Sequence, residues 1–530
     1  MLLSLITLLP LAFALLILMA PKESWVRPLA LVLALGEFVL SLQLLHGFDK
    51  ASPAIQLVEK IPWVPDWGIN YFLGVDGLSL WLVLLTTLLT PIVVLGSWTA
   101  INNRIKGFHA ALFILQTSMI GSFLSMDAIL FYMFFELSLV PMYFMIGIWG
   151  GQRRVYATVK FFIYTMAGSL MMLLAIIYLM FACRDTIGHM SASILDFYML
   201  KLPFVAGEFL NPQTLLFFAF SLAFAIKVPM FPLHTWLPDA HVEAPTPGSV
   251  ILAGVMLKMG SYGFLRFVLP MFAEAAGYYA WLFIFMGVIG IIYGALVAMV
   301  QPDIKKLVAY SSVSHMGYVM VGLFAMNTYG VTGSLYQMLN HGISTGALFL
   351  LVGMLYERTH SREISKYGGL AKAMPIFTIL FVIVTMSSIA VPMTNGFIGE
   401  FMILLGTFEV SRPFAIAAVT GVVLGAVYML WMVKRVFFGP AGELVRDTHH
   451  PLHDISVREI CVMAPLIFLI FWMGLAPNTF LDYSKASIDN FVQHRDNYRL
   501  AATLAPAFEP SAPDAHEIKA VALVLPQGGH

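Results

Sequence analysis

The chain has 530 residues, 60% of them apolar and only 11% charged, and a mean hydropathy of +0.86. A soluble chain cannot hide that much apolar surface, so this is a polytopic membrane protein. The 29 basic side chains balance the 29 acidic ones, with no tract that suggests nucleic acid, and neither a Gly-x-Gly nor a Gly-Lys step offers a common phosphate-binding loop. Cys183 and Cys461, the two cysteines, cannot supply an iron–sulfur cluster or a thiolate zinc site.

Fourteen apolar runs are long enough to span a bilayer: about 2–20, 29–46, 77–98, 109–126, 128–149, 155–182, 212–230, 246–270, 278–301, 304–326, 333–356, 374–404, 413–438 and 457–477. The first lacks a preceding basic residue and a clear cleavage site, so it reads as a retained helix. An even number of spans places both termini on one side. Sixteen Lys and Arg fall in odd-numbered loops against six in even-numbered ones, which puts the odd loops inside and both termini outside. The segment from His234 to Ser249 reads as a loop without Lys or Arg. The loop from Gly47 to Asn70, with Trp63 and Trp67, belongs at the outer interface. Residues after 477 are richer in polar residues, Ala and Pro and read as an extramembrane tail.

Two runs look broken. Ile226-Lys227-Val228-Pro229-Met230-Phe231-Pro232 holds two prolines, and the long run from Pro375 to Phe401 has Val391-Pro392-Met393-Thr394-Asn395-Gly396 in its middle. Broken helices in paired positions mark inverted-repeat transporters, whose ion sites lie where the helix ends meet. Val-Pro-Met occurs in both breaks and a third time at Val140-Pro141-Met142, where no break is evident.

Titratable groups at membrane depth are the chemical signal, because a lysine at mid-bilayer costs roughly 2.5–3.5 kcal/mol on insertion scales. Lys227 precedes the first Val-Pro step and Lys258 lies mid-span; each is a candidate proton carrier, or else a structural donor to free carbonyls. Glu136, far from any cation on its own helix, needs a partner from elsewhere, and Lys227 is the natural one. The alternative is a neutral core glutamic acid. Glu400, beyond the second break, is either a proton-release group or a plain helix-end carboxylate. His315 and His341 sit mid-span and can pass protons through either ring nitrogen. A lone core histidine is more often only packing, but two on neighbouring spans favour a relay. Neither suits a metal, since no i,i+4 pair or carboxylate set accompanies them. His234 and His241 are uptake groups or loop scaffolding, and Glu37 and Lys160 have weaker claims.

The stretch Gln301-Pro302-Asp303-Ile304-Lys305-Lys306-Leu307-Val308-Ala309-Tyr310-Ser311-Ser312-Val313-Ser314-His315-Met316-Gly317, with Phe231-Pro232-Leu233-His234-Thr235-Trp236-Leu237-Pro238-Asp239-Ala240-His241, resembles the antiporter-like proton-translocating subunits of respiratory complex I, Mrp-type antiporters and membrane-bound hydrogenases. The likeness covers roughly residues 70–440. Within that superfamily, Leu73-Gly74-Val75-Asp76-Gly77-Leu78-Ser79, the run Phe135-Glu136-Leu137-Ser138-Leu139-Val140-Pro141-Met142 and Glu400 in Gly396-Phe397-Ile398-Gly399-Glu400-Phe401 resemble the chain 4 branch of NADH:quinone oxidoreductase.

That resemblance implies an all-α membrane fold of about fourteen helices with two inverted five-helix repeats. The expected division is 1–108, then repeats at 109–270 and 271–440, a last helix at 441–480 and a tail at 481–530. It further implies a buried Glu136–Lys227 pair, Lys258 as central carrier, His315 and His341 as relay, and Glu400 as terminal carboxylate. It implies no cofactor in this chain, with NADH, FMN, iron–sulfur clusters and quinone in partner subunits. Expected partners are membrane-arm neighbours of the L and N type, in a bacterial inner membrane. A Mrp-type antiporter subunit and a non-pumping spacer are the competing expectations.

Overall fold

The computed structural model describes residues 1–446 and 452–494. Its helices follow the apolar runs in chain order: α1 Leu2–Met19, α2 Glu23–Ser41, α3 Leu80–Gly96, α4 Ile105–Leu124, α5 Ala128–Trp149, α6 Arg154–Ile187, α7 Pro212–Lys227, α8 Trp236–Glu243, α9 Thr246–Met271, α10 Ala273–Met299, α11 Ile304–Ala325, α12 Thr328–Thr359, α13 Pro375–Ser388, α14 Asn395–Val410, α15 Arg412–Phe437, α16 Val457–Leu475 and α17 Asn478–His494. Eleven helices among the described residues are long and apolar enough to cross a bilayer. The shorter α3, α7 and α13 complete the expected fourteen crossings, α8 and α14 being the second halves of two of them. Helices α4, α9, α11 and α12 are buried along nearly their whole length, while α1, α2, α15 and α16 leave apolar faces outward, as a bundle dissolved in lipid requires.

Both prolyl breaks are real. Pro229 lacks an N–H and its ring blocks the turn before it, so α7 stops at Lys227. The freed Ile226 carbonyl accepts from the Trp236 indole at 2.9 Å, and the Met230 N–H reaches back to the Ala225 carbonyl. The chain then resumes as α8, so half of the segment expected to be a loop from His234 to Ser249 is a buried half-helix, and its last residues already belong to α9; His234 and His241 are both buried. In the second break Ala390 and Met393 adopt left-handed backbone angles, φ 56° and 75°. Ser387, Ser344 and Asn395 tie that break to α12 through hydroxyl contacts of 2.5–2.6 Å. The third Val-Pro-Met also interrupts its helix: α5 turns at Ser138, where Pro141 offers no N–H to the carbonyl of Leu137.

The outer-interface loop is partly a hairpin. β1 (Gln56–Val64) pairs antiparallel with β2 (Ile69–Val75) across a turn closed by Gly68. Glu59 in β1 accepts from the Leu3 and Ser4 N–H groups and faces the Met1 nitrogen at 2.9 Å. Burial alone would raise its pKa, but these donors hold it below the usual carboxylate range. The segment assigned to the tail begins as a helix, α17, and residues 495–530 lie outside the described residues. One charge is relocated: Arg266, counted with the outer-loop cations, lies buried inside α9.

Candidate functional site

Lys258 is carried by the most deeply buried helix. Two wide π-type turns, Leu252–Met256 and Phe264–Val268, flank its segment of α9; such turns leave carbonyls without their usual partner. The Lys258 amine takes one of them, the Ala253 carbonyl, at 2.5 Å, and meets His341 Nδ1 at 2.7 Å. That contact depends on two backbones touching, because a Cβ on Gly342 of α12 would come within 2.8 Å of the Gly254 carbonyl oxygen.

From His341 the polar line continues across α12. The rings of His341 and His315 lie 6.0 Å apart. Between them is a cavity of about 10 Å³ lined by both histidines, Asn340, Ser344 and Ser388, which is near the least volume that holds one water. His341 Nε2 and Asn340 Oδ1 are buried without a protein partner, so a water there would satisfy them. His315 Nδ1 meets Glu400 Oε1 at 3.0 Å, and its Nε2 lies 3.4 Å from the Ser388 hydroxyl. The Gln337 amide donates to the same Glu400 oxygen at 3.0 Å and is in turn bonded by Asn340. Lys258, His341, His315 and Glu400, drawn from four helices, therefore form one line.

Glu136 and Lys227 stand at the other end and are not in direct ion-pair contact among the described residues. Lys227 donates to the Ser138 hydroxyl at 3.2 Å and lies 4.9 Å over the Phe135 ring, while Glu136 Oε1 is unpartnered. The break in α5 thus gives Lys227 an alternative partner two residues beyond Glu136. Of the weaker candidates, Lys160 bonds Asp239 at 2.8 Å, and Glu37 is buried with both carboxylate oxygens unpartnered.

Two polar clefts open on the face that carries the odd-numbered loops, with volumes of about 1090 and 740 Å³. The second reaches Glu243 and Lys305, at the end of α8 and the start of α11. Lys305 donates to the Ala244 carbonyl at 2.6 Å and Arg362 to that of Val242 at 2.8 Å, so two cations cap the C-terminal end of the half-helix. One turn inward is His241, stacked 4.7 Å from Phe349 with both ring nitrogens unpartnered, and within electrostatic reach of both Lys305 and Lys258.

Sequence reasoning missed Gln337, Asn340, Ser344 and Ser388, because polar side chains in buried helices carry no signal of where they point. It also missed the Asp76–Arg266 pair, 2.7 Å apart and buried. Among the described residues no group of three His, Cys, Asp or Glu side chains converges on a metal position.

Comparison with known proteins identifies the family. Residues 125–425 match the model of the NADH:quinone oxidoreductase/Mrp antiporter transmembrane family, and residues 4–127 that of the NADH-ubiquinone oxidoreductase chain 4 amino terminus. The chain is similar to NADH-quinone oxidoreductase subunit M of Rhodobacter capsulatus, with 46% identity over 95% of this chain and 99% of the relative. It is similar to a chain of respiratory complex I from Thermus thermophilus, at 31% identity and a TM-score of 0.83, covering 93% of this chain and 99% of that one. A chain of the Mrp complex from Dietzia shares the fold at 20% identity and a TM-score of 0.82, covering 95% and 100%.

Proposed function

This chain belongs to the family of NADH-quinone oxidoreductase subunit M and its chain 4 counterparts, and we propose that it carries protons outward along the buried line from Lys258 to Glu400. The observation that carries this reading is the unbroken sequence of contacts: 2.7 Å from Lys258 to His341, a space for one water between the two histidines, and 3.0 Å from His315 to Glu400. Each step is within hydrogen-bond reach or one water of it, the condition for passing a proton.

On this reading protons are taken up through the polar cleft that reaches Glu243 and Lys305 at the end of α8, and His241 lies within electrostatic reach of both Lys305 and Lys258. The driving switch is the Glu136–Lys227 pair. With Lys227 resting on Ser138 it is less closely paired than when Glu136 meets it directly, and on this reading a loosely paired ammonium disfavours a proton on Lys258. When Glu136 closes on Lys227 its charge is screened and Lys258 reloads. At an effective dielectric near 20 and an assumed separation of about 7 Å, two unit charges interact by roughly 2.4 kcal/mol. One proton moved against 100 mV needs about 2.3 kcal/mol, so a switch of that size is adequate.

On this reading the redox chemistry, with NADH, FMN, iron–sulfur clusters and quinone, belongs to partner subunits. L-like and N-like membrane subunits flank the chain in a bacterial inner membrane, with both termini outside. The test is NADH-driven proton uptake into inverted membrane vesicles by Lys258→Ala, with assembly and quinone reductase capacity checked against the parent. Pumping and coupled oxidation are expected to collapse together. A variant that assembles and pumps normally makes Lys258 structural and the proposed proton carrier wrong.

A further inference from the structure

A cavity of about 340 Å³ lies apart from the proton line, between α2, α3, α12 and α16, with α17 across its outer end. Leu84, Leu85, Leu339 and Ile343 close its back, and no polar atom is presented to the space. Trp81 and Phe480 form the roof; the Trp81 indole N–H is already spent on the Phe480 carbonyl at 2.9 Å. Its mouth lies between α2 and α16, where Leu42, Phe468 and Trp472 are exposed on the bilayer side.

Size decides what fits. An apolar cavity of about 150 Å³ takes one six-carbon ring, which scales to about a dozen carbons here, the reach of one hydrocarbon chain. Charge at the rim points to the head of that molecule. The Lys50 ammonium sits 3.9 Å from the Tyr483 ring centre, and Tyr483 packs edge-on against Trp81 at 5.3 Å. Among the described residues Lys50 makes no ion pair, while the neighbouring Asp49 carboxylate accepts from the Ala51 N–H at 2.9 Å. On α17 the exposed Asp482 and Lys485 offset each other.

We propose that this cavity is a lipid site: it holds one acyl chain of an anionic glycerophospholipid whose phosphate rests on Lys50 at the outer surface. The enclosing roof separates this molecule from bulk lipid, so it resists detergent that strips the freely exchanging shell.

The test uses the intact complex, reconstituted with phosphatidylglycerol brominated in mid-chain and imaged by cryo-electron microscopy. Bromine density between Leu84, Leu339 and Phe468 is the expected result; an empty cavity, or polypeptide from a neighbouring subunit in it, overturns the proposal. Independently, phospholipid retained after detergent washing is measured by mass spectrometry. Leu84→Trp, which fills the back of the cavity, should lower retained phosphatidylglycerol several-fold. Lys50→Glu should do the same for phosphatidylglycerol and spare phosphatidylcholine. Unchanged retention in Leu84→Trp removes the chain from the cavity, and equal loss of both lipids in Lys50→Glu removes the phosphate from Lys50.

Discussion

Arg266 stands eight residues beyond Lys258 on α9, and its guanidinium is divided between the Asp76 carboxylate at 2.7 Å and the Tyr262 hydroxyl at 3.0 Å. Tyr262 in turn donates to the Phe123 carbonyl, and Tyr198 to the Arg266 carbonyl. The second wide turn of α9 is thereby held from three directions. Removing one member of a buried ion pair leaves the other unpaired and costs about 3–5 kcal/mol. Arg266→Leu should therefore lower the thermal midpoint of the complex and the amount of this subunit retained in membranes. Asp76→Leu combined with Arg266→Leu should recover most of that loss; a double variant as unstable as the single one would contradict the pairing. At this scale the sequence announced Lys227 and Lys258, since a charge in the middle of an apolar run stands out, but not Arg266, which lies near the end of its run and reads as a loop cation. It could not announce their partners. Lys258 and His341 are 83 residues apart, and Lys227 is met by Ser138, a residue with no distinguishing mark in sequence.

The two broken helices were readable because proline removes a backbone donor wherever it sits, and the runs bearing Pro229 and Pro392 are too long or too interrupted for plain crossings. The turn at Ser138 escaped because α5 keeps its apolar composition straight through Pro141. The hairpin escaped because Gln56–Val64 carries Glu59, Lys60 and Pro62 and shows no clean alternation. α17 escaped because its mixed surface lacks the hydropathy of a span, and only its packing on α12 and the Gly77 turn makes it an element. The contact of α9 with α12 makes its own prediction. Gly342→Ala puts a methyl 2.8 Å from a backbone oxygen, and such overpacking typically costs 1–3 kcal/mol. The helices must part, and the 2.7 Å contact between Lys258 and His341 is the first to lengthen. Proton uptake should fall several-fold at normal assembly; full pumping in the alanine variant would show that the close approach is dispensable.

For the whole molecule, the even number of crossings puts both termini on one side, the tally of loop charges proposes which side that is, and the fold makes the two surfaces different in kind. One end carries the hairpin and α17; the other carries both polar clefts and their cations. Single cysteines test this directly, in a Cys461→Ser background because that thiol is exposed. An impermeant maleimide should label Asp66→Cys, at the hairpin turn, in intact cells, and Gln152→Cys only in inverted vesicles. Both positions are exposed, so the reverse pattern would invert the topology and the direction of proton movement with it.

The clasp between α17 and the start of α3 bears on how the chain is built. The Gly77 N–H donates to the Ser487 hydroxyl, and the Ser484 hydroxyl donates to the Gly77 carbonyl. The turn they hold begins with Asp76, the counter-ion of Arg266. A feature laid down early in translation therefore waits for the last described helix to emerge before its backbone is satisfied. Every crossing can be inserted while this corner remains open. A chain cut after the last span would therefore be fully threaded yet leave both Gly77 backbone groups without these serine partners.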